Sequence, residues 1–539
     1  LDVMLARLCD EISGMVEPEC DFALIAVGGY GRRELNLRSD IDLLFVFEKE
    51  PDGDAEEFIK AVLYPLWNQR LDVGYSIKTI RQVLKEIAED VDLATTLIGM
   101  HRVWGSKEIF GDLAEQFRTR VSLRLEEKLT YQLVEMTRGR HKQFSETAML
   151  LEPSIKDAPG GLRDLHVLRW LGFIKFGHGG FGALTSQGYL SDREEHLLHR
   201  AHAFYLEVRN ALHVIEERKA DVLNVERQIK VARQLGLTTT QSILPEEQLM
   251  RMYYEHAHAV ERITKRVLRS LEQKTEKSSA SRIVRGSRVE GQFWRRGDTL
   301  LVDPKEVGDL SRDPTWMMHF FSVVSLYRLD ADEMTLDLIR RHTDAITPEF
   351  RRSPVNRDRF LMILRNAQHC STTLRLMYES GFLETYIPEF KLVRHLPRID
   401  YYHQYTVDEH LMRAIDCATE LHDDTSVLGA AHAGIVARSL LRWDLLILAL
   451  LLHDIGKGEG RGHVIRGAHM VQRIAKRMNL SKRETNIVHR LVLDHHKMSM
   501  LAFKRNPDDP AVAKELARDI GQPELLRSEE HTSELQSHA

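Results

Sequence analysis

The hydrophobic and polar positions change their period along the chain. Near the start, short apolar runs are bounded by glycine or acidic residues, which is typical of buried strands: 21–27, 39–46 and 71–77. Helical spacing is found at 55–70, 80–90 and 93–100, and it continues through 121–275 and 315–380. The pattern predicts an α+β, multidomain fold whose first part is a small α/β domain ending near residue 120.

Three shorter stretches interrupt this pattern. The segment 152–164 contains two prolines and a pair of glycines, which predicts a loop with a helix starting after it. Polar residues with few apolar neighbours occupy 272–291 and predict a linker. A brief alternation at 292–302 predicts one or two strands.

A glycine-rich turn follows the first predicted strand. The segment VGGYGRRE predicts a turn through Gly28, Gly29 and Gly31, with a short helix beyond it. The strand after it opens with Asp40 and Asp42. Residues i and i+2 of a strand face the same side, so both carboxylates would enter one small volume, where like charges repel unless a cation separates them.

Such a pair suits a particular chemistry. Hard oxygen ligands favour Mg²⁺ or Mn²⁺, and glycines next to a helix start can cradle a phosphate. Together they favour attack on a nucleoside triphosphate. The competing interpretation is a plain glycine turn before a strand whose first residues are acidic by chance, although Asp is disfavoured inside strands.

A third carboxylate and two cations are candidates for the same site. If the strand at 71–77 pairs beside the Asp40 strand, Asp72 completes a triad; otherwise it is an edge-strand surface residue. In the 152–164 loop, Lys156 and Arg163 could face a triphosphate together with a fresh helix N-terminus. From the residues alone, an ordinary loop between helices is the favoured interpretation.

Histidine and aspartate recur in the last third of the chain. The apolar run 445–452 ends in His453 and Asp454, at the rim of a core where charge is costly unless a metal neutralises it. Neutral imidazole and carboxylate bind divalent cations well. With His410 and a late aspartate, these two residues would form a metal site.

Two further histidines extend this series. His463 and His495 could hold a second metal or a phosphate, and such a site activates water for attack on a phosphodiester. The alternatives are core histidines with satisfied hydrogen bonds, and His496 in place of His495.

Composition narrows the function classes. The 539 residues carry 75 Lys and Arg against 80 Asp and Glu, a net charge of -5, which gives no electrostatic argument for a nucleic-acid partner. The four cysteines are scattered without a CxxC pair, so we expect free thiols in a reducing compartment, the cytoplasm. The longest aliphatic run is too short to span a bilayer and we recognise no signal peptide, so we expect no membrane partner.

In their order, these motifs resemble the bifunctional uridylyltransferase/uridylyl-removing enzyme family of bacterial nitrogen regulation. The segments that carry the resemblance run from about residue 25 to 510: GGYGRRELNLRSDIDLLFVF, LDVGYSIKTI, EPSIKDAPGGLRDLHVLRW, YTVDEHLMRAI, LLHDIGKGEGRGHVIRGA and LVLDHHKMSM. The first two are similar to polymerase-beta-like nucleotidyltransferases, and the last three to HD-domain phosphohydrolases.

The resemblance implies residue roles. The transferase carboxylates would be Asp40, Asp42 and Asp72, the first two as Mg²⁺ ligands. The nucleotide-contacting residues would be Gly28, Gly29, Gly31, Ser39, Lys156 and Arg163. The HD metal ligands, for Mg²⁺ or Mn²⁺, would be His410, His453, Asp454, His463, His495 and Asp509. Asn506 stands where the family's terminal HD aspartate is expected, so that Asp508 or Asp509 substitutes or one ligand is weakened.

The resemblance also implies an activity and partners. UMP would be transferred from UTP to a tyrosine of the PII signalling protein, and then hydrolysed off again. Glutamine is the family's effector, sensed by two C-terminal ACT domains; we expect these to be absent here, so that glutamine no longer switches the two activities. The corresponding domains are a nucleotidyltransferase domain, a helical connector, a linker with a helical segment, an HD domain and a tail of non-native sequence: 1–120, 121–275, 276–400, 401–525 and 526–539.

Rival functions stay open at this point. RNA as acceptor is disfavoured because the chain has no basic excess, and adenylylation of glutamine synthetase because that family pairs two transferase domains. An alarmone synthetase/hydrolase would carry its HD domain first. The remaining alternative is a regulatory binding module with a vestigial HD domain, which Asn506 favours and the intact aspartates oppose.

Overall fold

The structure is a computed structural model. It describes residues 1–16, 20–51, 53–144, 146–240, 243–278, 286–302, 313–397, 405–422, 442–459, 462–497, 514 and 518. The chain forms two compact units, Leu1–Ser281 and Arg282–Ala539. Both are mainly helical and each contains one small sheet, which confirms the predicted α+β, multidomain class.

The sheet of the first unit has four strands in the order β3-β2-β1-β4. These are β1 (Phe22–Ala26), β2 (Ile41–Phe47), β3 (Val73–Thr79) and β4 (His101–Gly105). Strand β1 runs antiparallel to both β2 and β4, whereas β3 runs parallel to β2. The three strands predicted from apolar runs are confirmed, and β4 was missed because its five residues are only half-buried.

Alternate side chains of β1 and β2 enter two separate cores. Phe22, Leu24 and Phe45 pack with α1 (Asp2–Ser13) and α3 (Gly53–Asn68) on one face. Ala23 and Ile25 pack on the other face, against helices of residues 80–271. Because both faces are covered, the strands appear in the sequence as continuous apolar runs.

The glycine segment differs from its prediction. Gly28–Gly31 is itself a one-turn helix, α2, that follows β1 directly, rather than a turn with a helix beyond it. Strand β2 begins at Ile41, so Asp40 precedes the strand instead of opening it.

Nine more helices complete the first unit within its described residues. They are α4 (Ile80–Glu86), α5 (Val91–Leu97), α6 (Lys107–Leu123), α7 (Glu126–Gln143), α8 (Leu162–Phe176), α9 (Phe181–Ser186), α10 (Asp192–Glu216), α11 (Val225–Gln234) and α12 (Pro245–Ser278). They share one hydrophobic core with the second face of the sheet. The predicted domain boundary at 120/121 falls within the last turn of α6 rather than between two helices; it and the other boundaries stay predictions.

The second unit begins with a small sheet and continues as helices. Its strands are β5 (Ser287–Arg288), β6 (Phe293–Arg296), β7 (Thr299–Val302) and β8 (Asp330–Ala331), paired in that order. Strands β6 and β7 confirm the prediction for 292–302. The predicted linker at 272–291 was too long, because α12 continues to Ser278 and β5 begins at Ser287.

The described helices of the second unit pack into a single core. They are α13 (Thr315–Tyr327), α14 (Glu333–Arg341), α15 (Pro348–Arg352), α16 (Pro354–Arg365), α17 (Cys370–Glu379), α18 (Phe382–Tyr386), α19 (Val407–His422), α20 (Trp443–Leu452), α21 (His463–Arg477) and α22 (Lys482–Asp494). Short 3₁₀ turns lie at Thr343–Ala345, Pro388–Leu392 and Ile455–Glu459. Helix α20 is buried along its whole length, and its one charged residue, Asp444, accepts hydrogen bonds from Arg365 and Arg442.

Candidate functional sites

Three carboxylates meet at one end of β2 and β3. Asp40 and Asp72 immediately precede the two strands, and Asp42 is the second residue of β2. The parallel register pairs Ile41 with Val73, and the Ile41 N–H donates to the Asp72 carbonyl at 2.8 Å. Burial raises the pKa of Asp42, and the charges of Asp40 and Asp72 raise it further, as carboxylates in one small volume do. The predicted pairing beside the Asp40 strand is confirmed.

Cations surround these carboxylates. The Lys219 ammonium lies 2.7 Å from Oδ2 of Asp40; this bond lowers the pKa of Asp40, and the nearby Lys156 charge lowers it further. The charge of Arg32 opposes the rise in the pKa of Asp42. Burial in turn lowers the pKa of Lys156 itself. The structure thus brings Lys156 to the carboxylates, together with Lys219 and Arg32, which sequence reasoning missed.

The three glycines of α2 have different surroundings. Gly28 has φ of +61°, and a Cβ there would overlap Oδ2 of Asp42. A Cβ on Gly31 would lie 2.8 Å from the carbonyl oxygen of Ala26. A Cβ on Gly29 would meet nothing within 4 Å. Close approach to the protein therefore explains Gly28 and Gly31, and Gly29 is the glycine with open space for a ligand.

Arg209 of α10 fixes the loop that carries Ser39. Its guanidinium donates to Asp221 at 2.6 Å, to the side-chain oxygen of Asn36 at 2.6 Å and to the Ser39 hydroxyl at 3.5 Å. The Asn36 amide donates in turn to Asn210 at 2.9 Å. In the structure Ser39 therefore contacts Arg209, and its predicted contact with nucleotide stays a prediction.

The 152–164 loop is packed against its neighbours, and a helix follows it as predicted. Gly160 has φ of +75°, and a Cβ there would overlap the backbone of Ala257 in α12. Its N–H donates at 2.8 Å to Asp164, which also accepts from His141 at 2.9 Å. Packing against α12 therefore explains Gly160, whereas a Cβ on Gly161 would meet the loop's own carbonyl oxygens, that of Ile155 at 2.6 Å.

Arg163 contacts side chains other than the three carboxylates. Its Nε is 3.6 Å from Oδ1 of Asp157, and its guanidinium lies 5.7 Å from the ring centre of Trp170. Lys156 and Arg163 were predicted as a pair, and after burial the charge of Arg163 lowers the pKa of Lys156; their contact with a nucleotide stays a prediction.

A second charged cluster stands behind the glycine helix. Glu34 accepts from Nε2 of His166 and of His202 at 2.8 Å each, from Arg32 at 3.2 Å, and from Arg169. Burial alone would raise the pKa of Glu34, but the bonds from the two histidines hold it below its ordinary value. Burial also lowers the pKa of His166 to about 3, so the imidazole is neutral at pH 7. The carboxylate is filled by four donors and has little capacity left for a metal.

The histidine site of the second unit gathers side chains from four helices or helix ends. His410 lies on α19, His453 and Asp454 follow α20, His463 begins α21, and His495 follows α22. Nε2 of His453 lies 3.3 Å from Nε2 of His410 and 3.4 Å from Oδ2 of Asp454. Nε2 of His463 and of His495 each lie 3.8 Å from Oδ1 of Asp454. All five residues converge as predicted.

Backbone carbonyls orient two of these imidazoles. Nδ1 of His453 lies 2.9 Å from the Leu450 carbonyl, and Nδ1 of His495 lies 2.7 Å from that of Val492. With Nδ1 donating, Nε2 of each ring is left as the ligating atom. Burial and the neighbouring His453 lower the pKa of His495 to about 3, which keeps the ring in its neutral, metal-binding form.

His496 was expected only as an alternative to His495, but both histidines lie at this site, and Lys457 was missed. Nε2 of His496 lies 3.4 Å from Nε2 of His463, and burial lowers its pKa to about 4. The Lys457 ammonium lies 2.7 Å from Oδ2 of Asp454. The pair of adjacent histidines at 495–496 was the sequence feature that could have indicated that both lie here. In the structure both rings lie close to Asp454.

The donor sets of the two sites fit divalent cations. In the second unit the residues group as two possible ligand sets that share Asp454: His410 with His453, and His463 with His495 and His496. In the first unit, crowded carboxylate oxygens are the hard ligands that Mg²⁺ or Mn²⁺ takes. The predicted ligand Asp509 lies outside the described residues, as do Asn506 and Asp508.

The first unit has a carboxylate site at strand ends beside a glycine helix, which is typical of nucleotidyltransferases. The second unit has a His/Asp site in an all-helical region, which is typical of HD domains. The chain therefore joins a nucleotidyltransferase-type part to an HD-type part. Family models agree along the chain. Residues 1–79 match the nucleotidyltransferase family DUF294, 126–268 match GlnD PII-uridylyltransferase, 293–386 match the uridylyltransferase GlnD third domain, and 407–533 match the HD domain.

Curated relatives point to the same family. The chain is 31% identical over 508 residues to the bifunctional uridylyltransferase/uridylyl-removing enzyme of Novosphingobium aromaticivorans, covering 94% of this chain and 56% of that protein. It is 32% identical over 518 residues to that of Rhodospirillum rubrum (94% and 55%), and 31% over 538 residues to that of Burkholderia lata (97% and 61%). The chain is therefore similar over nearly its whole length to the bifunctional uridylyltransferase/uridylyl-removing enzymes, and it spans somewhat more than half the length of these relatives.

Proposed function

We propose that the chain transfers UMP from UTP to a tyrosine of the PII protein and hydrolyses UMP off uridylylated PII, so that it controls nitrogen assimilation. The observation that carries this proposal is the presence of two separate clusters with different ligand chemistry in one chain that is similar to these enzymes. The carboxylate cluster suits transfer from a triphosphate, and the histidine cluster suits hydrolysis of a phosphodiester.

The transfer reaction uses the carboxylates of the first unit. Asp40 and Asp42 hold a divalent cation, which we propose is Mg²⁺ and which when bound neutralises charge on the phosphates. The tyrosine oxygen forms a bond to the α-phosphorus, and the bond to pyrophosphate breaks. A tyrosine hydroxyl has an ordinary pKa near 10, so it needs a proton acceptor at neutral pH. Asp72, beside the pair, either accepts this proton or joins the ligands.

Hydrolysis uses the histidine site of the second unit. His410, His453, Asp454, His463 and His495, with His496, hold a divalent cation, Mg²⁺ or Mn²⁺, which supplies an activated water when bound. The Leu450 and Val492 carbonyls keep two of the imidazoles aimed at Asp454. The products are the free tyrosine of PII and UMP.

Intact-mass spectrometry of PII tests the transfer half. The purified chain is incubated with PII and Mg²⁺ and with each nucleoside triphosphate in turn. A uridylyl-sized mass increase with UTP alone is the expected result, because it identifies donor and acceptor together. A variant of PII with its acceptor tyrosine changed to Phe is the matched control and should stay unmodified.

The modified PII is then the substrate for the removing half. Incubation with the chain and Mn²⁺, without UTP, should restore the original mass and release UMP. If no nucleotide modifies PII while the chain is folded, PII is the wrong acceptor, and RNA ends and glutamine synthetase are tested next in the same assay.

We also propose the cytoplasm as the location. The four cysteines are free thiols, which fits a reducing compartment. Within the described parts of the chain, no helix has the length and apolar character needed to cross a membrane.

A further inference from the structure

The ion pair between Lys219 and Asp40 is unusual because it engages a proposed metal ligand. The Lys219 ammonium lies 2.7 Å from Oδ2 of Asp40, across 179 residues of sequence. Both side chains are well exposed, at 46% and 40% of their full area. An ion pair this open to water is weak and easily exchanged.

Hydrogen bonds hold the backbone that follows Lys219. The Asp221 carboxylate accepts a hydrogen bond from Arg209 at 2.6 Å, and its backbone carbonyl accepts one from the Ile155 N–H at 2.8 Å. The Leu223 N–H donates to the Pro153 carbonyl at 2.9 Å. The segment therefore presents a long, exposed side chain from a fixed base, beside the carboxylates.

A second lysine acts on Asp40 from another segment of the chain. Lys156 makes no ion pair with any described residue, yet its charge acts on Asp40. Two ammonium groups from separate segments thus act on Asp40, and both become available to an anion once a divalent cation neutralises the carboxylates.

We propose that Lys219 is an exchangeable counter-ion of Asp40. Without metal it binds the carboxylate; when a divalent cation binds Asp40, Lys219 is released and binds the triphosphate of the nucleotide together with Lys156. This inference rests on the proposed function for the identity of the nucleotide, and it assigns to Lys219 a positioning role that orders metal and nucleotide binding.

Metal binding without nucleotide tests whether Lys219 and the cation compete for Asp40. In the full chain, free Mn²⁺ is followed by electron paramagnetic resonance, and the Asp40-dependent site is defined as the binding lost in Asp40→Asn. Lys219→Met should tighten Mn²⁺ binding at this site about two- to fivefold, because an exposed competitor has been removed. Lys219→Arg should restore the original affinity, and Lys230→Met, at a half-exposed lysine paired with Glu226, should change nothing.

Nucleotide binding tests whether the released Lys219 binds the triphosphate. At saturating Mg²⁺, the same Lys219→Met chain should bind UTP roughly tenfold more weakly, since a charge-assisted bond to phosphate is lost. Opposite changes in metal and nucleotide affinity are the signature, because misfolding would weaken both.

Unchanged or weaker Mn²⁺ binding in Lys219→Met would overturn the exchange, and unchanged UTP affinity would overturn the move to the triphosphate. The Mn²⁺ measurement needs neither PII nor turnover. If it shows the tightening while PII stays unmodified, the proposed transfer to PII is wrong and the counter-ion role stands.

Discussion

The carboxylate site of the first unit and the histidine site of the second each contain a lysine on a candidate metal-binding aspartate, at the same 2.7 Å. Their surroundings differ. Lys219 and Asp40 are 46% and 40% exposed, whereas Lys457 and Asp454 are 8% and 2% exposed. The first pair can exchange with solvent ions, and the second is enclosed by protein.

This difference in exposure agrees with the ligands of the two sites, which are carboxylates in the first unit and mainly imidazoles in the second. A water-accessible oxygen site suits a cation that arrives with a nucleotide and leaves with pyrophosphate. A buried site of imidazoles, two of them fixed by backbone carbonyls, suits a cation that stays in place between turnovers. If the proposed function is correct, the two reactions use separate metals, and changes at one site should spare the other.

The largest expected effect comes from removing the carboxylates. Asp40→Asn with Asp42→Asn should lower the rate of PII modification by about 1,000-fold or more, because the cation ligands of the transfer site are lost. Removal of UMP from PII should continue. Intact-mass assays of both reactions measure this, with Asp54→Asn, an exposed residue of α3, as control. Normal transfer by the folded double variant would remove these residues from the site.

A comparable loss is expected in the second unit. His453→Ala with Asp454→Ala should abolish removal of UMP and lower the tightly bound metal content, while transfer continues. Elemental analysis after dialysis measures the metal, and His469→Ala, an exposed histidine of α21, should behave as the unmodified chain. Loss of both reactions in a folded chain would show that the two sites are not independent.

A smaller effect is expected at the glycine helix. Gly28→Ala forces a Cβ into Asp42 at a positive φ, so transfer should fall roughly 30- to 100-fold through displacement of the carboxylate. Gly29→Ala meets open space and should cost less than Gly28→Ala. Gly53→Ala, also in open space, is the control for the substitution itself. Equal activity of Gly28→Ala and the control would mean that Asp42 tolerates displacement.

The smallest effect is expected at His166, which we predict contributes to stability and binds no metal, unlike the histidines of the second unit. The pKa of His166 is lowered to about 3 in the folded chain, against about 6.5 when unfolded. Between these pH values the unfolded chain binds the extra proton, so this histidine's contribution makes stability fall as the pH falls. His166→Gln should lower stability by about 1 kcal/mol at pH 7 and make its decline toward pH 4 shallower.

Thermal unfolding from pH 7.5 to pH 4 measures this slope, with His196→Gln, an exposed residue of α10, as control. Metal content should be unchanged in His166→Gln, because Glu34 already accepts four hydrogen bonds. A drop in bound metal would instead identify a third metal site.

Much of the fold is determined locally and could be predicted. Apolar runs bounded by glycine indicated β1, β2 and β3, and helical spacing indicated the long helical regions, because burial on two faces or on one stripe leaves a period in the sequence. The half-buried β4 leaves no such period and was missed. The series of His and Asp residues could be recognised because charged residues at the end of the apolar helix α20 are costly to bury unless a metal or partner neutralises them.

Only the tertiary structure decided what surrounds the sites. Lys219 meets Asp40 across 179 residues, Arg209 meets Asn36 across 173, and Glu34 gathers His166 and His202 from two helices. None of these side chains differs in the sequence from an ordinary surface Lys, Arg or His. The sequence alone determined most of the elements, the family resemblance and most of the candidate ligands, since these follow from local periodicity and motif. Packing decided which charges neutralise them, because it brings together segments that are distant along the chain.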